Sequence, residues 1–91
     1  MVAELNDRTT VRLAPAYRLQ WEEAQQVYVL LYPEGMVTLN ASASDILKLC
    51  NGQSLRDIVA ELRRCYPGAS LETDVIEFLK AALDEGWIHL T

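Results

Sequence analysis

Cys50, Cys65 and His89 are the side chains of this 91-residue chain best suited to hold a metal or to attack a substrate. Their spacing serves neither purpose. The cysteines form no C-x-x-C pair, His89 is the only histidine, and a zinc site would need further ligands that the spacing does not supply. Both cysteines fall on apolar positions of helical patterns, which predicts buried thiols. Ser42, Ser54 and Ser70 each stand where a helix should begin, so capping accounts for them without nucleophilic chemistry. Glu22-Glu23 and Asp84-Glu85 read as solvated pairs, and His89 as a surface or tail residue. The four glycines fall at or near turns and helix ends, not in a loop that would cradle phosphate. No nucleophile, acid–base pair or ligand set stands out, so the expectation is a protein that is not an enzyme and carries no cofactor and no metal.

Length and composition narrow the rest. A chain of 91 residues is one domain. It buries roughly 60–65% of the surface its unfolded form exposes, which leaves one core and no room for an enclosed active-site cavity with its supporting shell. The net charge of −5 opposes nucleic-acid binding, which draws on Lys and Arg neutralising phosphates. No stretch reaches the 18 or so apolar residues of a membrane helix, and the N-terminus lacks a basic-then-apolar signal. The expected location is the cytoplasm.

The elements that must position any site follow from periodicity. Residues 1–14 are mixed and without clear period; Asp7, Arg8 and Arg12 suggest a flexible, solvated arm, and residues 15–91 the folded domain. Tyr17 to Glu22 alternates, with Tyr17, Leu19 and Trp21 on one side, as a half-buried strand does. "EAQQ" (23–26) is a polar loop. Val27 to Tyr32 is apolar on both faces, which suits a central strand. Pro33-Glu34-Gly35 is a tight turn in which glycine can take a positive φ, and Met36 to Asn40 returns antiparallel as a third strand at the edge of a meander. The rest reads as three helices: one capped by Ser42 and Asp45 and stopped by Asn51-Gly52, one capped by Ser54 and Asp57 and ended by Pro67-Gly68, and one from Ser70 to about Glu85, stopped by Gly86. Trp87, Ile88 and Leu90 form a short apolar tail. The fold class is α+β, a three-stranded antiparallel sheet followed by three helices.

The third helix carries the most information. At about 100° per residue, Phe78, Leu71, Ala82, Val75, Leu79, Leu83 and Ile76 fill a continuous arc of roughly 160°. A surface helix needs only about a 100° stripe to pack on its core. The flank of Ile76 and Leu83 exceeds that need, with Lys80 just beyond it. Two readings stand: the first strand or the tail covers this flank, or it opens as an apolar groove. The polar side sets Glu72, Asp74, Glu77, Asp84 and Glu85 against Lys80 alone. Three helices with a sheet suggest a winged-helix arrangement, yet such a helix would put carboxylates against DNA phosphates.

Particular stretches resemble a known family. "RLAPAYRLQWE" (12–22), "VLLYPEGMVTLNASASDILKLCNG" (29–52), "IVAEL" (58–62), "YPG" (66–68) and "FLKAALDEGWI" (78–88) are similar to the pyrroloquinoline quinone biosynthesis protein D family. The resemblance runs from about residue 12 to the end; "LYPEGMV" and "GWI" are its most specific parts. It implies a winged-helix-like fold of three strands then three helices. It implies a peptide chaperone and recognition element for ribosomally made, modified peptides. Such a chaperone binds a precursor peptide (protein A) and presents it to a radical S-adenosylmethionine enzyme (protein E) that joins a glutamate to a tyrosine. The resemblance places the peptide along the third strand, in a cleft bounded by the third helix. Met36, Val37, Thr38 and Leu39 would then be the rail, and Val75, Ile76, Leu79, Lys80 and Leu83 the wall. An edge strand with unpaired N–H and C=O groups can accept a fourth strand in this way. Two alternatives stay open: a nucleic-acid-binding winged helix, and a homodimer that pairs through the exposed edge. Arg56, Arg63 and Arg64 cluster on the second helix as an enzyme-contacting surface or as a solubilising face.

Overall fold

The computed structural model describes residues 5–91. The chain runs β1 (Thr10–Leu13), β2 (Arg18–Glu22), β3 (Val27–Tyr32), β4 (Gly35–Thr38), α1 (Ala41–Lys48), β5 (Asn51–Ser54), α2 (Leu55–Cys65), α3 (Glu72–Asp84) and β6 (Ile88–Leu90). The α+β class and the three helices are as expected. There are two three-stranded antiparallel sheets, in the orders β2-β3-β4 and β5-β1-β6. The first is the expected meander, with β3 in its centre and β4 at its edge.

The second sheet corrects the expected order. Residues 10–14 are not a solvated arm: Val11 is 0% exposed, Ala14 is buried, and β1 is the central strand. Val11 pairs with Gln53 on one side and Leu90 on the other. The apolar tail therefore becomes β6, and the stretch after α1, expected as a helix stop, becomes β5. Thr10 and Thr91 exchange backbone hydrogen bonds of 3.2 and 2.9 Å, and Leu55 N–H donates to Thr9 at 2.8 Å. The part of the expected arm that falls on residues 1–4 lies outside the described residues.

Local chemistry explains the helix boundaries, with two changes from expectation. Asn40, not Ser42, caps α1: its Oδ1 accepts the Ala43 N–H at 2.8 Å. Ser54 caps α2 as expected, accepting the Asp57 N–H at 3.1 Å. The start of α3 has no side-chain cap, so Ser70 does not serve there. Gly35 takes the expected positive φ, at +159, although an added Cβ would meet Tyr32 Oη only at an ordinary 3.6 Å. Gly52, at φ +102 in β5, has both a backbone need and a close neighbour, since an added Cβ would stand against the Arg12 guanidinium.

One core joins both sheets to the helices. It includes Val11 and Ile88 from the second sheet, Leu30 from β3, Ile46 and Leu47 from α1, Ile58 and Leu62 from α2, and Val75, Leu79 and Ala82 from α3. Tyr28 and Leu30 share the sheet face on which α1 lies, where the Lys48 ammonium sits 4.8 Å from the Tyr28 ring centre. Of the two thiols, Cys50 is buried and Cys65 is exposed, so the expectation of buried thiols holds for Cys50 alone. Cys65 falls at the C-terminal end of α2, past the stripe of Ile58, Val59 and Leu62 that faces the core.

Candidate functional site

The edge strand β4 is held in register by β3. Val37 lies opposite Leu30, Met36 opposite Leu31 and Thr38 opposite Val29. Leu39 N–H donates to Tyr28 O at 2.9 Å. Antiparallel pairs alternate between hydrogen-bonded and non-bonded, so residues 35, 37 and 39 face β3 and residues 36 and 38 face away. The N–H and C=O groups of Met36 and Thr38 therefore point out of the sheet edge. Their side chains lie on the face that carries Leu31 and Val29, and Met36 is 53% exposed. Val37 is half-buried beside Leu30, and Leu39 is buried in the core. Outward and inward groups thus alternate along four residues: the backbone of Met36 and Thr38 faces away from β3, while Val37 and Leu39 fix the strand.

The expected wall on α3 divides. Val75 and Leu79 are 2% and 0% exposed and belong to the core. Ile76 and Leu83 are half-buried and Lys80 is exposed. Ile76 borders a depression shared with Leu55, Val59 and Arg63 of α2. The other flank of α3 borders a larger cleft of about 360 Å³, where Leu71 and Val75 meet Ala41 and Ile46 of α1 and Leu62 and Tyr66 at the end of α2. Only Leu39 and Asn40 separate β4 from this end of α1. Asp45 and Asp74 lie at the same cleft. The Tyr66 hydroxyl donates to Asp45, and that hydrogen bond, with the nearby negative charge, raises the phenol above its ordinary value.

Leu71, Tyr66 and Asp74 were not singled out from the sequence. The apolar arc of α3 overhangs its stripe on both flanks, and periodicity alone does not say which flank lies beside α1. Leu71, next to Phe78 at one end of that arc, was the available signal. The basic cluster on α2 is partly neutralised in place: Arg64 lies 2.6 Å from Glu61 and Arg63 lies 3.8 Å from Glu72. Among the described residues no group of three His, Cys, Asp or Glu side chains could hold a metal ion. No helix of these residues is long and apolar enough to cross a membrane.

The family model described as "Coenzyme PQQ synthesis protein D (PqqD)" matches residues 28–88, a span that takes in all of β3 but its first residue, β4 and all three helices. The chain belongs to the PqqD family. It is 53% identical to the PqqA binding protein of Methylococcus capsulatus, over 93% of this chain and 92% of the relative. It is 49% identical to the PqqA binding protein of Acinetobacter baylyi, over 90% of this chain and 85% of the relative. Its fold is similar to a solution NMR structure of the PqqD truncation of Methylobacterium extorquens PqqCD, described as a functional and stand-alone RiPP recognition element. That match has a TM-score of 0.77 and 25% identity, and covers 94% of this chain and 95% of that one. The segment with the outward-facing edge and the cleft lies within the span that defines the PqqD family.

Proposed function

We propose that this chain binds the precursor peptide PqqA as an additional strand beside β4 and presents it to the pathway's radical S-adenosylmethionine enzyme. It acts in the cytoplasm as a winged-helix-like chaperone that catalyses no step itself. The observation that carries the reading is the outward orientation of the Met36 and Thr38 backbone groups on an edge whose inner side is anchored by Val37 and Leu39. Unpaired edge groups of this kind give an extended peptide its main-chain bonds, and neighbouring pockets give it specificity. The names of the relatives, PqqA binding protein, support the identity of the ligand. Of the expected wall, Ile76, Lys80 and Leu83 offer surface, and Val75 and Leu79 back it from the core.

Thr38→Pro tests the rail directly. Proline at this position removes an N–H that points away from β3, so the ladder to β3 survives; prolines are tolerated on edges for that reason. Titration of the ¹⁵N-labelled variant with PqqA should show binding weakened ten-fold or more, with the melting temperature nearly unchanged. Binding equal to that of the unaltered chain would rule out strand addition at β4.

A further inference from the structure

Main-chain bonds at an edge hold any extended peptide; they do not choose one. The cleft of about 360 Å³ beyond β4 has the chemistry to choose. Ala41, Ile46, Leu62, Leu71 and Val75 give it apolar walls. The two carboxylates at it are not equivalent. Asp45 accepts from the Tyr66 hydroxyl and lies 3.6 Å from Lys48. The Asp74 carboxylate makes no hydrogen bond or ion pair among the described residues. The starts of α1 and α3 both open here, and their partial positive charges, about half an elementary charge each, would alone favour an anion. The full charges of Asp45 and Asp74 outweigh them.

We propose that this cleft is a specificity pocket of the precursor peptide: it takes one aliphatic or aromatic side chain, and Asp74 pairs with a Lys or Arg beside that side chain. The inference rests on the reading of β4 as the rail. A strand that continues past Thr38 advances about 3.3 Å per residue and comes to the Ala41 end of the cleft. An apolar anchor with a flanking cation is the ligand that an apolar cleft with a free carboxylate at its edge complements. A partner peptide with an acidic residue next to its anchor would meet like charge and be rejected.

The test uses the full chain, ¹⁵N-labelled, and synthetic PqqA. Asp74→Asn should weaken binding about three- to five-fold and reduce its dependence on salt, while loss of a first-turn carboxylate of α3 lowers the melting temperature only slightly. Replacing the basic residues of the peptide one at a time with Gln should give one position with a similar loss. Combined with Asp74→Asn, that replacement should cost nothing further. Ala41→Leu, which narrows the cleft from an exposed helical position, should weaken binding as well. Amide shifts along β4 without shifts at Asp45, Tyr66, Leu71 or Asp74, together with unaltered affinity in Asp74→Asn, would overturn the pocket and leave the rail standing. Shifts in the cleft without shifts along β4 would support the pocket and overturn the rail. Shifts at neither would overturn both.

Discussion

The meander β2-β3-β4 is made from residues 18–38 in one continuous run, whereas the sheet β5-β1-β6 gathers residues 51–54, 10–13 and 88–90. Both have three antiparallel strands, and they do different work. In the meander each strand finds its neighbour across a short turn, so pairing costs little loop-closure entropy. Its hydrophobic centre, β3, is flanked on both sides, and β4 is left as a free edge. In the other sheet the central strand comes from near one end of the chain and an outer strand from the other end. The Thr10–Thr91 exchange of backbone hydrogen bonds closes the chain on itself. Local pairing thus leaves an edge free, while non-local pairing consolidates the core on which that edge depends.

The largest expected difference between the two sheets lies in how each tolerates a charge. Val11 is 0% exposed at the centre of the second sheet. Val11→Asp would bury a carboxylate without a partner and should cost about 4 kcal/mol or more, a large share of the stability of so small a domain. Thr38→Asp, on the free edge, should cost about 1 kcal/mol at most. Chemical denaturation of the two variants measures both. If they lose similar amounts, β4 is as deeply built into the core as β1 and is not a free edge.

The same contrast explains what could be read in advance. The meander announces itself in alternation, an apolar central run and the Pro33-Glu34 turn, all of them local signals. The edge position of β4 followed from them; the candidate rail came from the family resemblance, which places a peptide along that strand. The second sheet has no such signals. Its strands have three or four residues, β5 reads Asn-Gly-Gln-Ser, and β1 carries Arg12 in its middle. Val11 is an isolated apolar residue in a polar stretch, and only partners 40 and more positions away make it core. The candidate wall met a related limit. The arc of α3 is a property of one helix, whereas the choice of flank depends on how α1 and α2 pack against it, and periodicity does not contain that.

Gly52 sharpens the comparison by separating stability from binding. Its φ of +102 disfavours any side chain, and an added Cβ would stand 2.6 Å from the Arg12 Nη2. Arg12 is exposed and can swing away, so the backbone conformation carries the cost. Gly52→Ala should destabilise the domain by about 1–2 kcal/mol. Affinity for PqqA should stay as it was, because β5 shares no hydrogen-bond ladder with β4. Denaturation curves and a peptide titration on the same sample test this. A parallel loss of affinity would mean that the two sheets are coupled more tightly than their topology implies.

The smallest expected effect concerns the join between β1 and the end of α1. Cys50 O accepts the Leu13 N–H at 3.1 Å, and burial pushes the Cys50 thiol up to about 12 from its ordinary 9.0. In the unfolded chain this thiol ionises around pH 9, while in the native fold it stays protonated. Over that interval the unfolded state binds fewer protons, so stability falls as pH rises; below the ordinary value the residue adds no slope. Between about pH 8 and pH 10 the loss should be about 1 kcal/mol. Cys50→Ala removes the ionising group and should show that much less pH dependence than the unaltered chain, even though the lost sulfur lowers its stability at every pH. Denaturant titrations of both proteins at the two pH values give the difference directly, with the titration of all other groups cancelling. Equal slopes would show that water reaches this thiol in the native state, and that the sheet closing the chain ends opens far more readily than its burial indicates.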